Sequence, residues 1–392
     1  VYINGISSSS APISQSDLTD TNGHFEKLHV IPVASNYNIQ PTKDDNPLNG
    51  VTTYDLVLIS QHILGIAPLG SPYKMIAADA NRSKTITTFD VVEIRKLILG
   101  IYDSLPNNTS WRFIDAGFVF PDPFNPFLFP FPESITVSDS IPPAVVFDFI
   151  GVKTGDVNHT AIGDPLSSPA DDRYAETLFF NAKNREVAAG EAFTVHFETA
   201  EKTAGYQFTL NTGELEVLEI QPGHGMSAAN FAVFPGAVTA SVDLPETSEA
   251  SGFSVRFRSR QAGRLSDWLG ISSRITTAEA YLPEGKTYQR SGVALRFDDG
   301  TAPAPTFQLF QNQPNPFNGT TRIGFVLPED AETTFSIFNQ DGRLLHRQQT
   351  WYESGYHEIL FDPTPSGASG ILYYQLETPA HCAVRKMVLA GK

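Results

Sequence analysis

Gly50-Val-Thr-Thr-Tyr-Asp-Leu-Val-Leu-Ile-Ser-Gln-His-Ile-Leu-Gly65 and Thr85-Ile-Thr-Thr-Phe-Asp-Val-Val-Glu-Ile-Arg-Lys-Leu-Ile-Leu-Gly100 are two versions of one segment, 35 residues apart at positions 50 and 85. Each sets an acid, Asp55 or Asp90, where a helix begins. Behind it come apolar residues at helical spacing: Leu56, Ile59, Ile63 and Leu64 in the first, Val91, Ile94, Leu97 and Ile98 in the second. Each closes on Leu-Gly, a helix stop. The pair predicts a small two-helix module in a chain whose remaining sequence alternates in short β-type runs.

Ahead of the second helix, Asp79-Ala-Asn81-Arg-Ser83-Lys-Thr85-Ile-Thr87-Thr-Phe-Asp90 has the form of a 12-residue calcium loop. Oxygen donors stand at positions 1, 3, 5, 9 and 12 (Asp79, Asn81, Ser83, Thr87, Asp90), and Thr85 supplies a backbone carbonyl at position 7. Lys84 holds the sixth position, where glycine usually makes the sharp turn. The run before the first helix, Asp44-Asp-Asn46-Pro-Leu48-Asn-Gly50-Val-Thr52-Thr-Tyr-Asp55, is defective, because Leu48 at position 5 has no oxygen to offer. That loop is either free of calcium or completed from elsewhere. Gly155-Asp156-Val157-Asn158 repeats the opening of such a loop. Asp156 and Asn158 are therefore candidates to complete a weaker site with Asp44, Asn46, Gly50 and Asp55; a plain β-turn is the other reading.

Two loop-helix units with Ile-Leu-Gly endings resemble the dockerin family, calcium-dependent modules that bind cohesin domains. The resemblance covers about residues 44 to 102. It implies calcium as the cofactor and places partner contacts on Thr53, Tyr54, Thr88 and Phe89; packing of Tyr54 and Phe89 inside the module is the alternative.

At 392 residues the chain exceeds what one core normally holds, so several domains are expected. A net charge of -16 argues against nucleic acid and anionic membrane as partners, since both repel an acidic surface. A single cysteine, Cys382, excludes an internal disulfide. No apolar run reaches the roughly 18 residues of a membrane span. The chain opens at Val1 without an initiator Met or a leader, which reads as a processed or partial polypeptide.

The fold class expected is mainly β and multidomain, several β-sandwiches plus one small α-helical dockerin-like module. Residues 1–43 carry short strands and an Asn-Gly turn, and their Thr19-Asp-Thr-Asn-Gly-His-Phe25 run with Tyr37-Asn-Ile39 resembles the carboxypeptidase-regulatory-like sandwiches in partial form. The helical module is expected over 44–110. Residues 111–162 include Phe118-Val-Phe-Pro-Asp-Pro-Phe-Asn-Pro-Phe-Leu-Phe-Pro-Phe-Pro132, too rich in Pro for a helix and too apolar for a solvated linker. They are expected to pack on the helices. Polar linkers are read at 163–176 and 299–307. Between them, residues 177–298 alternate as a sandwich, with Phe193-Thr-Val-His-Phe197 and Phe253-Ser-Val-Arg-Phe-Arg258 typical, and their order is similar to cohesin and related carbohydrate-binding jelly rolls.

Residues 308–392 carry Gln311-Asn-Gln-Pro-Asn-Pro-Phe317, Phe335-Ser-Ile-Phe-Asn-Gln-Asp-Gly-Arg343 and Gly370-Ile-Leu-Tyr-Tyr-Gln-Leu376. These resemble the C-terminal sorting domain of type IX secretion cargo from Bacteroidetes. The resemblance implies export to the cell surface or medium of a Gram-negative cell, with Pro314, Asn315, Pro316, Phe317, Arg385, Lys386 and Lys392 in the sorting signal. Partners implied are a cohesin-like domain of another chain or of this one, the type IX machinery and surface polysaccharide.

Catalysis is not expected. There is no Gly-x-Ser-x-Gly elbow, His357-Glu358 lacks the second His of a zinc helix, and the paired acids Asp171-Asp172 and Asp298-Asp299 fall in linker-like sequence. The function expected is a non-catalytic structural or adhesive surface protein, assembling head to tail into filaments if its two complementary modules meet between chains. The alternative is the anchoring and sorting tail of a larger secreted hydrolase.

Overall fold

A computed structural model describes residues 1–6, 12–16, 19, 24, 37–137, 147–161, 176–248, 251–273, 275–285, 287–301, 308–327, 330–339, 343–353, 355–363, 370–379 and 382–389. The chain is mainly β, and among the described residues its α-helices lie in one stretch. It divides into two compact units, Val1–Ala175 with Ser241–Thr247, and Glu176–Ala240 with Ser248–Lys392. The 163–175 and 302–307 segments read as linker, most of the Thr19–Phe25 run, Asp171, Asp172 and Lys392 lie outside the described residues.

In the first unit the helices are α1 (Thr53–Ile63), α2 (Pro72–Ala78) and α3 (Thr88–Ile98). Thr52 and Thr87 are extended N-cap residues, and each forms a capping box with the acid three positions on, Asp55 or Asp90. Both long helices end in the same manner. Gly65 (φ 71) and Gly100 (φ 76) turn left-handed, and the next amides, Ile66 and Ile101, donate back to Gln61 and Lys96 carbonyls at 2.9 Å. Leu56, Ile59, Ile76, Ile94 and Leu97 meet in one buried cluster. Two helices of 11 residues could not hold together on propensity alone, so this shared apolar face is what stabilises them.

The residues after α3 enlarge that core. Trp111–Asp115 pairs antiparallel with Phe149–Lys153, and Ile114 and Val152 from this ribbon enter the helix cluster. Phe120, Phe127 and Phe131 pack on it as partly buried side chains, Phe120 meeting Tyr73 edge-on at 5.6 Å. The apolar run does more than cover helices. Val119, Phe124, Leu128 and Phe129 stay exposed, and Ile135–Val137 leaves to pair with Tyr37–Gln40, completing a four-stranded sheet with Tyr2–Ile6 and Pro12–Ser16.

The second unit holds two β systems, each described by itself. Residues 177–240 and 248–297 form a sheet in which the long strand Thr287–Phe297 changes neighbours along its length. Its first half pairs antiparallel with Glu279–Glu284 and its second half pairs parallel with Thr177–Ala182. Strict alternation decides what faces inward: along Ala192–Thr199, Phe193, Val195, Phe197 and Thr199 are buried and the residues between them exposed. Phe180, Tyr206, Phe208, Phe231 and Phe253 make the aromatic centre, with ring centroids 4.9 to 6.2 Å apart in the pairs Phe180–Tyr206 and Phe208–Phe253 and 5.1 Å in Phe231–Phe253.

Residues 308–389 form a three-stranded sheet (Gln308–Leu309, Thr321–Leu327, Gly355–Phe361) and a four-stranded one (Leu344–Tyr352, Ala331–Asn339, Gly370–Glu377, Cys382–Leu389). Ile323, Phe325, Phe335, Ile337, Leu372, Tyr374 and Met387 are buried in a single cluster fed by both sheets.

Candidate functional site: a contiguous and a split oxygen-donor loop

The loop at 79–90 is contiguous. Asp79 Oδ1 and Oδ2 accept the N–H groups of Ser83 and Lys84 at 2.8 and 2.9 Å, and Asn81 Oδ1 accepts from Ser83 N–H at 2.9 Å. Ser83 Oγ reaches the Thr85 carbonyl at 3.3 Å. Asp90 closes the ring, accepting from Asn81 N–H at 3.2 Å and Thr87 N–H at 2.8 Å. Lys84 meets the geometry glycine normally supplies by adopting a left-handed φ of 65, a costly conformation for a residue with a Cβ.

A second loop repeats these bonds with residues from two distant segments. Asp156 Oδ1 and Oδ2 accept from Thr160 and Ala161 N–H at 3.2 and 2.8 Å, and Asn158 Oδ1 accepts from Thr160 N–H at 3.0 Å. Thr160 Oγ1 then reaches the Gly50 carbonyl at 3.0 Å. Asp55, at the start of α1, accepts from Asn158 N–H at 3.2 Å and Thr52 N–H at 2.9 Å. It also takes the N–H of Val157, 102 positions along the chain, at 2.9 Å. Position by position, Asp156, Asn158 and Thr160 correspond to Asp79, Asn81 and Ser83, and Gly50, Thr52 and Asp55 correspond to Thr85, Thr87 and Asp90. His159 even repeats the left-handed turn of Arg82, at φ 62 and 58.

Asp44 and Asn46 take other parts. The Asp44 carboxylate accepts from Ser110 N–H at 2.6 Å, Asn46 is a left-handed turn residue at φ 41, and Leu48 packs against the helix core. Sequence reading passed over Thr160 and Ala161, whose only signal was the spacing Asp156-x-Asn158-x-Thr160.

The donor set of each loop is two carboxylates, one side-chain amide, hydroxyls and one backbone carbonyl, all hard oxygens of the kind calcium takes. Among the described residues no three His, Cys, Asp or Glu side chains gather as a metal-binding group, and each loop brings two carboxylates. Asp55 and Asp79 are fully buried by area, as are Asp90 and, nearly so, Asp156. Burial, with the Asp156 charge second, pushes the Asp55 carboxyl up to about 8, and burial likewise raises Asp79. A cation among these oxygens would supply the missing positive charge. Each loop also has one buried basic neighbour. Lys153, lowered to about 8 by burial, donates to the Pro47 carbonyl at 2.7 Å beside the split loop. Arg112 near Asp79 is bonded instead to Glu133 at 2.8 Å, and Glu133 also holds Arg82 of the contiguous loop at 2.6 Å.

The helix residues assigned to partner contact have different fates. Thr53 is fully buried and shares a 2.7 Å hydrogen bond with Ser241, a residue of the same compact unit. Ser60 on α1 donates to Asp243 at 2.8 Å, and Arg95, its repeat-equivalent on α3, forms an ion pair with the same carboxylate. Tyr54 is half-buried, Thr88 is exposed, and Phe89 leaves 72% of its surface open.

In the last sandwich, Phe317 is buried and its N–H donates to Val388 O at 2.9 Å, while Asn315 Oδ1 accepts from Val388 N–H at 2.8 Å. The Pro314-Asn315-Pro316-Phe317 turn, with cis bonds before both prolines, is thus stitched to the final strand. Arg385 donates to Leu309 O at 3.0 Å and Lys386 is exposed. Sequence reading missed the pin of this turn. Asn312 is buried and donates to Pro314 O and Thr321 Oγ1 at 2.9 Å, and its own N–H donates to Tyr374 Oη at 2.9 Å. Burial lifts that phenol to about 12. His357 and Glu358 lie in strand Gly355–Phe361, His357 bonded to Glu353 O and Glu358 to Arg322. Asp298 and Asp299 accept hydrogen bonds from Asn184.

No family model matches this chain, and no curated protein matches it in sequence at a significant level. Solved structures similar to it include a biofilm-associated protein BSP domain (12% identity, 57% of this chain and 53% of that one, TM-score 0.17). Others are dimeric latent PorU from Porphyromonas gingivalis (13% identity, 64% and 36%, TM-score 0.19) and the type II cohesin dyad from the ScaA scaffoldin of Acetivibrio cellulolyticus (11% identity, 52% and 88%, TM-score 0.23). The chain spans about half the length of the first and about a third of the second. Among the described residues no helix is long and apolar enough to cross a membrane.

Proposed function

We propose that this is a non-catalytic extracellular structural or adhesive protein whose helical module is held together by calcium and whose last sandwich is a type IX sorting domain. The single observation that supports the calcium reading is the set of matching hydrogen bonds in the two loops, one contiguous and one assembled from distant residues. Hydrogen bonding of the same pattern around two sets of oxygens, one on a continuous stretch and one on two segments far apart in the chain, is what a shared ligand requirement produces. In this reading Asp79, Asn81, Ser83, Thr85 (carbonyl), Thr87 and Asp90 hold one ion, and Asp156, Asn158, Thr160, Gly50 (carbonyl), Thr52 and Asp55 hold another. Calcium supplies positive charge to buried carboxylates and fixes the start of α1 and α3; the residues themselves carry out no reaction.

Filament formation through Thr53 is disfavoured by its bond to Ser241, and by Ser60 and Arg95 both engaging Asp243 of the same chain. We therefore favour a monomer whose α1–α3 face is satisfied internally, with exposed Phe89 at its edge. Only a site present in the folded state stabilises it, by an amount that grows with the logarithm of free ion. Chelator should accordingly lower the melting temperature of the full chain, and calcium should restore it. An identical melt in both conditions sinks the calcium reading. The export reading has its own test: residues 308–392 fused behind a periplasmic reporter should carry it to the surface of a type IX-secreting host, and retention in the periplasm refutes it.

A further inference from the structure

We infer that the first calcium loop is a clasp, in which one ion joins residues 50–55 to residues 156–161 and so closes the intervening hundred-odd residues into a ring. The inference rests on the calcium reading above and goes further, because in an ordinary loop of this kind ion binding orders only a local turn. Here the same oxygens sit on two segments with no peptide bond between them.

The junction itself shows the substitution of contact for connectivity. In the contiguous loop Lys84 is peptide-bonded to Thr85. At the equivalent point of the split loop Ala161 faces Gly50, and a Cβ placed on Gly50 would lie 2.4 Å from Ala161 N and 2.5 Å from its Cα. Gly50 also has a φ of 74, so glycine is needed there twice, for its backbone angle and for the close approach of a second chain segment. Among the described residues, bonds across that junction include Thr160 Oγ1 to Gly50 O and the Val157 and Asn158 amides to Asp55, with Lys153 Nζ to Pro47 O beside it. Asp55 and Asp156, one on each segment, are both buried acids of this loop. Without a cation the two halves have only the protein's own bonds and packing to join them. With one, the same carboxylates become the attachment.

The ring so closed contains α1, α2, α3 and the Trp111–Asp115 and Phe149–Lys153 ribbon. Gly155 anchors its far end, donating to Ala77 O at 2.8 Å beside the contiguous loop. Ion occupancy of the split loop is thus coupled to the whole module, whereas the contiguous loop acts on α3, its own turn and, through Arg82 and Glu133, on Arg112 of the ribbon.

The test uses the full chain with calcium itself as probe, in two arms. Isothermal titration should give two calcium ions per chain, falling to one both in Asp156→Ala and in Gly50→Val, the latter removing no donor. Amide exchange of the unaltered protein should show Val157, Asn158, Thr160 and Ala161 losing protection together with the α1 amides when chelator is added, by about tenfold or more. A stoichiometry of one, with chelator-sensitive exchange confined to 79–90, overturns the clasp while leaving calcium binding at the contiguous loop in place. No heat of calcium binding and no change in exchange anywhere overturns both the clasp and the reading it rests on.

Discussion

The contiguous loop at 79–90 and the split loop at 156–161 with 50–55 reach one geometry by different routes. Asp79 and Asp156 each gather two consecutive amides, Asn81 and Asn158 each cap one, and Asp90 and Asp55 each close their ring from a helix start. The difference lies in what supports them. Chain connectivity holds the contiguous loop and local strain at Lys84 opposes it. Only tertiary bonds hold the split loop, and its left-handed angle beside the junction falls on Gly50 (φ 74), at the place of Thr85. Such a pair separates what the donors contribute from what the backbone contributes, since the donors are matched.

The largest effect expected from breaking the comparison concerns the helices behind the loops. Ser60 and Arg95 occupy equivalent places in the two copies and meet the same Asp243 carboxylate, with Arg95 and Asp243 both about nine-tenths buried. Arg95→Ala strands a buried acid and should cost about 3–5 kcal/mol in chemical denaturation. Ser60→Ala removes one hydrogen bond and should cost about 1 kcal/mol. Equal losses would show that the two copies contribute alike and that the ion pair is worth no more than a hydroxyl.

Next come the closing acids. In saturating calcium Asp55→Ala should cost about 3 kcal/mol and Asp90→Ala about 1 kcal/mol less, because Asp55 also receives the Val157 amide while Ala80, its counterpart, bonds to Ala78. Equal costs in equilibrium unfolding would mean that the extra amide contributes nothing. Gly50→Val should cost about 2 kcal/mol through clash and backbone strain, against less than about 0.5 for Thr85→Val at the matching position. Similar small values would show that Ala161 moves aside freely. The smallest effect sharpens the comparison instead. Lys84→Gly relieves a left-handed lysine and should stabilise by about 0.5–1 kcal/mol, less the entropy glycine adds to the unfolded chain, with tighter calcium binding by titration. A loss of stability would locate a role for the ammonium.

The two loops also differ in how far they could be read from sequence. Everything in the contiguous loop lies within one 12-residue pattern, so spacing alone names its donors. The motif at Asp156 was visible too, but the pairing of a half-motif with Gly50 and Asp55 depends on a fold that brings distant segments together, and spacing carries no trace of that. Reading positions 1 and 3 of the first loop from Asp44 and Asn46 follows the local pattern, whereas the chain uses Asp44 to hold Ser110. The same limit applies to Ile135–Val137, whose alternation is too short to stand out and whose partner, Tyr37–Gln40, is far upstream. The mainly β class was legible because alternation such as that of Ala192–Thr199 is a local property. Asn312 was not, since a buried polar pin looks like any other asparagine until its partners are in place.

A loop divided in this way also has a clock. When a chain emerges end first, the contiguous loop is complete as soon as Asp90 follows Asp79, a dozen residues in all. The other cannot begin to close until Asp156 arrives, long after α1 has been made. At synthesis rates of about 5–20 residues per second the delay is of the order of ten seconds. Through that interval Asp55 stands at the head of a helix without the Val157 and Asn158 amides that its carboxylate will later accept from, so the module's two halves acquire their final environment in a fixed order, contiguous loop first.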